Sequence, residues 1–201
     1  MRECESKLKL LRTAHELIWR QSYGSVGVEQ ICEQSGVKKG SFYHFFRSKS
    51  ELTVAAYQAH WEKMRVRLEG IFDSSLPPLQ KIDGYLDFVV QTQQERRKEY
   101  GRMLGCPFIS LGSELSTQDE QIRQMAQKIC DQRRSYLASV LAEAMEEGDL
   151  PAGDPAALAY ELFSYVMGML QQAKISNDPG VLDRLHAGAY RILQIQEPSL
   201  A

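Results

Sequence analysis

The chain has 201 residues, 43% of them apolar and 25% charged, with a formal net charge of -2. This excludes disordered, collagenous and disulfide-framework classes. No apolar run approaches the ~18 residues that cross a bilayer, and Met1-Arg2-Glu3-Cys4-Glu5 leads into no apolar signal core, so a cytoplasmic chain without a membrane partner is expected.

Leu8, Leu11, Ala14, His15, Ile18 and Trp19 recur at helical spacing and predict an amphipathic helix over 5–22. A short helix is predicted over 28–35, a turn at Gly36-Val37 and another short helix over 39–45. Ser48 and Glu51 form an S-x-x-E capping box that opens a long helix over 48–71. Pro77-Pro78 separates it from a helix over 79–98. A shorter piece begins near Cys106-Pro107. From 116 to 147, Ile122, Met125, Ala126, Ile129, Cys130, Leu137, Val140, Leu141 and Ala144 form one stripe. Gly148 ends that helix. Residues 155–174 are apolar on nearly every face, and such a helix must be covered on all sides. In a chain this short the extra cover points to a second subunit. A last helix is predicted over 179–195. The sum is an all-α protein of about nine helices, with a small N-terminal domain of 1–47 and a larger bundle of 48–201.

The net charge conceals an asymmetry. Residues 1–50 hold nine basic and five acidic side chains, net +4, and the remaining 151 carry −6. A basic head on an acidic body suits one anion-binding end. Within the head, two short helices joined at Gly36-Val37 form a helix-turn-helix. Ile31 and Cys32 face inward, Val37 plugs the turn, and Phe42 with Phe45 or Phe46 packs the second helix down. Lys39, Ser41, Tyr43 and His44 are left facing outward. A helix start lined with Lys and Ser favours phosphate through its free N–H groups and partial positive charge. Lys49 lies in the first turn of the next helix, where a cation gains nothing from the dipole, so an external phosphate would account for it.

The run Gly36-Val37, Lys39-Gly40-Ser41-Phe42-Tyr43-His44-Phe45-Phe46 and Ser48-Lys49-Ser50-Glu51-Leu52 closely resembles the DNA-binding domain of TetR-family transcriptional repressors. The resemblance implies a homodimer on a palindromic double-stranded DNA operator, released by a small-molecule effector. It implies that Lys38, Lys39, Gly40, Ser41, Tyr43, His44 and Lys49 meet the major groove and flanking phosphates. One departure is Gly27-Val28, where the family usually has a Ser or Thr that caps the helix and touches phosphate. Ser and His read base edges loosely, so much of the specificity is expected to come from DNA shape.

In the family the larger domain dimerises and holds the effector. Tyr160, Phe163 and Met167, with Ala157, Ser164 and Gly168, on one helix, and Leu182, Leu185 and Ala189 on the next, are expected to form a four-helix interface with a symmetry mate, although an intrachain core accounts for some of them. In Gly105-Cys106-Pro107, Pro107 suits the first helical position and makes Cys106 the N-cap, where a thiolate is stabilised. Lys174 is the lone cation in an apolar helix end and either snorkels or has a partner. Gly105-Cys106 with Ser113-Glu114-Leu115, and Gln172-Ala173-Lys174-Ile175-Ser176, resemble a narrower group of electrophile- and oxidant-responsive members, which implies a Cys106 sensor assisted by Lys174. Two other readings stand beside it: a small wall residue of a noncovalent pocket, or no functional role. Trp61, Met64, Met103, Phe108, Met125, Tyr136, Tyr165 and Met169 either line an apolar cavity or are core. The four cysteines are far apart, with no CxxC pair or Cys/His cluster, so no metal or cofactor is expected. No nucleophile-base pair or phosphate loop points to an enzyme.

Overall fold

The computed structural model describes residues 2–195, among which there are nine α-helices, one 3-10 segment and no strand. The helices are α1 Arg2–Gln21, α2 Val28–Ser35, α3 Lys39–Phe45, α4 Lys49–Phe72, α5 Pro78–Tyr100, α6 Pro107–Leu115, α7 Glu120–Glu147, α8 Pro155–Ser176 and α9 Leu185–Leu193. The final predicted helix is divided: Pro179–Arg184 is 3-10, and only then does α9 begin. Asp178 accepts the Gly180 N–H at 2.9 Å, fixing that tight start. No helix among the described residues is long and apolar enough to cross a membrane.

The helix ends follow from local chemistry. Ser48 Oγ accepts the Glu51 N–H at 3.1 Å, and Glu51 reaches back to the Arg47 N–H at 2.7 Å. The reciprocal half of the capping box thus lands one residue earlier than the motif predicts. At α8, Asp154 accepts from the Ala156 and Ala157 N–H groups ahead of Pro155. Such caps contribute about 1 kcal/mol each.

The chain divides into two compact units, Met1–Val66 with Pro107–Ile129, and Arg67–Cys106 with Cys130–Ala201. In the first, Leu10, Ala14, Leu17 and Ile18 of α1 are buried with Ile31, Phe42, Phe46, Leu52 and Tyr57. Leu8, expected on the buried stripe, is 59% exposed. The packed face of α1 is centred on Leu10 and Leu17 instead. In the second, Tyr85, Leu86, Leu137, Leu141, Leu162 and Val166 build the core. There Lys81, buried on α5, pairs with Glu143 of α7 at 2.8 Å.

Candidate nucleic-acid interface and the Cys106 site

The α2–α3 pair is closed by Gly36, which takes φ 67° and donates its N–H toward the Cys32 and Glu33 carbonyls. A left-handed residue there ends α2 at no steric cost only as glycine. Val37 is buried in the turn, its N–H on the Cys32 carbonyl at 3.0 Å. Phe42 and Phe46, rather than Phe45, anchor α3 in the core. Their anchoring decides what faces out: Lys38, Lys39, Gly40, Tyr43 and His44 are exposed and Ser41 is half-buried. Tyr43 stands edge-on to the buried Phe42 at 5.0 Å, and His44 edge-on to the half-buried Phe45 at 5.1 Å. Lys39 is held at 2.7 Å by Glu29 of α2, both ends solvent-facing. An exposed pair of this kind is weak, and a phosphate can displace the carboxylate. Gly27 caps α2 without a side-chain bond, and a Cβ there would meet nothing within 4 Å.

Lys49 departs from the sequence expectation. Its ammonium donates to the Tyr23 carbonyl at 3.0 Å and the Val26 carbonyl at 2.9 Å, and sits 3.8 Å over the Tyr23 ring. Partial burial holds its pKa below the usual lysine value, against the pull of Glu114. Two of its three donors are therefore committed to the α1–α2 turn, and the cation needs no external anion to account for its position. From α6, the Glu114 carboxylate accepts the N–H groups of Tyr23 at 3.0 Å and Gly24 at 2.8 Å. Ser50 bonds Asp119 at 2.5 Å. Residues far along the chain thus complete the head.

Two expected results follow. Lys49→Gln should lower the head's stability without changing the salt dependence of DNA binding, whereas Lys39→Gln should reduce the salt slope by about 1. Anisotropy titrations at several salt concentrations read both. Glu114→Gln leaves one carbonyl for two donors, so it should cost about 1–2 kcal/mol and speed amide exchange at Tyr23 and Gly24 together.

The expected effector residues fall in both units. In the first, Trp61, Phe108 and Met125 are buried, with Phe108 edge-on to Trp61 at 6.2 Å and to Tyr57 at 6.0 Å. In the second, Cys106 is 3% exposed and Met103 is buried, its N–H on Asn177 Oδ1 at 3.0 Å. Gly105, at φ 68°, is locked by Gln93, which accepts its N–H at 3.0 Å and donates to its carbonyl at 3.2 Å. A Cβ on Gly105 would lie 2.9 Å from Gln171 Oε1 and 3.2 Å from Lys174 Cδ. Lys174 therefore packs over the residue that precedes Cys106. Tyr165 and Met169 lie elsewhere: with Gln172, Arg184 and Arg191 they line a separate open cavity of about 560 Å³.

The interface set is also rearranged. Phe163, Met167, Leu182, Leu185 and Ala189 are buried within the single chain and cannot meet a partner as they stand. The exposed residues of α8 include Ala157, Tyr160 (58% exposed), Ser164, Gly168 and Ile175. Phe163 and Met167 instead wall a buried cation that sequence reasoning passed over. Arg133 Nη1 donates to Cys106 Sγ at 3.3 Å and to Met167 Sδ at 3.7 Å, and its guanidinium lies 5.1 Å from the Phe163 ring centroid. The available signal was its register: Arg133 falls between Cys130 and Leu137 on the apolar stripe of α7.

A small helix-turn-helix head, with a basic and aromatic outward face, joined to helices that bury a thiol beside a guanidinium, defines a DNA-binding regulator of helical type. Residues 10–56 match the family described as bacterial regulatory proteins, tetR family, and residues 78–189 match the tetracyclin repressor-like C-terminal domain. The chain belongs to the TetR family of transcriptional regulators. It is 31% identical over 180 residues to the transcriptional regulator AcuR of Cereibacter sphaeroides, covering 89% of this chain and 79% of that one. It is 28% identical over 178 residues to the transcriptional repressor NemR of Escherichia coli, covering 87% and 86%. The crystal structure of reduced E. coli NemR superposes with a TM-score of 0.81 at 27% identity, covering 94% of this chain and 97% of that one. A TetR regulatory protein from Rhodobacter sphaeroides gives 0.82 at 28% identity, covering 92% and 97%.

Proposed function

We propose that the protein is a cytoplasmic homodimeric repressor that binds a palindromic operator through residues 1–47 and releases it when an effector acts on the segment 48–201. The observation that carries this reading is the outward set Lys38, Lys39, Gly40, Ser41, Tyr43 and His44 on an α3 anchored by Phe42 and Phe46. The dimer forms through the exposed residues of α8, with Tyr160 as its large contact among Ala157, Ser164 and Gly168. Two recognition helices are needed because one half-site alone binds weakly. The regulator carries no catalytic role.

The trigger is a change at Cys106. The resemblance of Gly105-Cys106 and of Gln172-Ala173-Lys174-Ile175-Ser176 to electrophile-responsive family members, and the packing of Lys174 over Gly105, support modification of that thiol by an electrophile. Cys130 does not compete, because burial pushes its pKa up to about 11. A second reading, reversible binding beside an unmodified Cys106, is favoured by the thiol's burial and its contact with Arg133.

The test is operator binding by the full-length protein, using DNA upstream of its own gene. Binding that needs Lys39 and Tyr43, at two protomers per site, is the expected result. Failure of the folded dimer to bind would overturn the repressor reading. N-ethylmaleimide should release the operator, and Cys106→Ser should block release. Full release by Cys106→Ser would overturn thiol sensing and leave the reversible reading.

A further inference from the structure

Arg133 is 5% exposed, and its charge has no carboxylate partner among the described residues. Its contacts are two sulfur atoms, which are weak acceptors, a ring face and the neutral Tyr85 phenol. Its Nε–H meets no acceptor. Tyr85 of α5, 1% exposed, lies within electrostatic and hydrogen-bonding reach of the guanidinium, and its hydroxyl proton has no acceptor among the described residues. Burial raises the Tyr85 pKa, so the phenol keeps its proton and remains a donor. A buried guanidinium N–H and a buried phenol proton that both lack an acceptor are rare in a folded protein. A buried, uncompensated charge is rarer still, because burial costs several kcal/mol per ion unless a counter-charge is supplied.

Five acids of the same unit are engaged elsewhere. Glu143 pairs with Lys81, Asp83 with the Tyr190 hydroxyl, Asp87 with His186, Asp131 with Arg134 and Glu69 with the Tyr136 hydroxyl. No carboxylate among the described residues supplies the counter-charge, and a bound anion would. A guanidinium edge beside a phenol O–H offers donors to both oxygens of a planar carboxylate. The remaining wall, formed by Cys106, Phe163 and Met167, is apolar and soft. It suits a hydrocarbon group attached to the anion and disfavours an all-oxygen anion such as phosphate.

We propose that Arg133 anchors a binding site for a small organic carboxylate, with the Tyr85 hydroxyl as the second donor and Cys106 against the ligand's carbon skeleton. The inference deepens the effector reading above, and its regulatory consequence rests on that reading; the binding itself does not.

The test is calorimetric titration of the full-length protein with butyrate and benzoate, and with butyramide and benzamide as neutral isosteres. At least one carboxylate is expected to bind, with its amide weaker by about tenfold or more. Arg133→Met should remove carboxylate binding while raising thermal stability, since it replaces an unpaired buried charge by an apolar chain of similar length. Tyr85→Phe should weaken binding about tenfold, as loss of one hydrogen bond to a charged group does. If Arg133→Met fails to fold, the Tyr85→Phe and amide comparisons decide. Absence of carboxylate binding, equal binding of the amide, or unchanged affinity in the variants would overturn the site. A parallel titration follows labelled operator. A carboxylate that binds through Arg133 without releasing operator upholds the site and counts against the effector reading alone.

Discussion

Phe42→Ala is expected to destabilise the first unit by about 3–5 kcal/mol and to abolish operator binding. Phe42 is fully buried in α3, a helix of seven residues. A helix so short has no independent stability; it persists because its apolar side is packed. Phe42 packs against Phe46 at 6.1 Å and supports the exposed Tyr43 ring edge-on. Truncation leaves a cavity beneath the outward face and removes the surface on which Tyr43 rests. Total stabilities of 5–15 kcal/mol make such a loss a large share. Urea unfolding followed by circular dichroism measures the first effect, and anisotropy with labelled operator the second. Phe45→Ala is the control: Phe45 is half-buried, so a loss of about 1–2 kcal/mol is expected there. Equal losses at the two positions would show that Phe42 does not anchor α3.

Gly105→Val should cost about 2–5 kcal/mol, combining a left-handed backbone with overpacking. Gly105 takes φ 68°, a conformation that penalises a β-branched residue heavily. Its missing side chain is also where Gln171 and Lys174 approach. Gly101 separates the two contributions. It has φ 73°, but a Cβ there would meet nothing within 4 Å. Gly101→Val therefore carries the backbone cost alone, and the difference between the variants reads the packing of α8 against Gly105. Because Cys106 follows directly, Gly105→Val should also weaken the Arg133 contact with its sulfur. Denaturant midpoints at equal m-values measure the stability difference.

Most of the helical framework was legible because its boundaries are written in local chemistry. Ser48, Glu51, Gly36 and Gly148 act within a few residues of where they stand. The face that a helix buries was less legible. Leu8, Leu10 and Leu11 crowd one turn of α1, and periodicity cannot choose among them; packing selects Leu10 and exposes Leu8. The same ambiguity affected α8. An apolar side chain needs cover, but its identity does not say whose, and Phe163 and Met167 found theirs within the chain. Arg133 was hidden for the opposite reason. A charged residue on an apolar stripe reads as a solvated interruption until its neighbours are known. The outward face of the helix-turn-helix was the most legible part, because the spacing of its buried phenylalanines fixes which residues remain outside.

The grip of α6 on the α1–α2 turn bears on how the protein is made. Glu114 lies 91 residues beyond Tyr23 and 90 beyond Gly24. On the ribosome, the segment through α3 emerges long before α6 does. Until residue 114 has been synthesised and has cleared the exit tunnel, the Tyr23 and Gly24 amides have only water to bond. An early head is thus incomplete, although its helix-turn-helix motif is whole: the last anchor of its α1–α2 turn arrives only with α6.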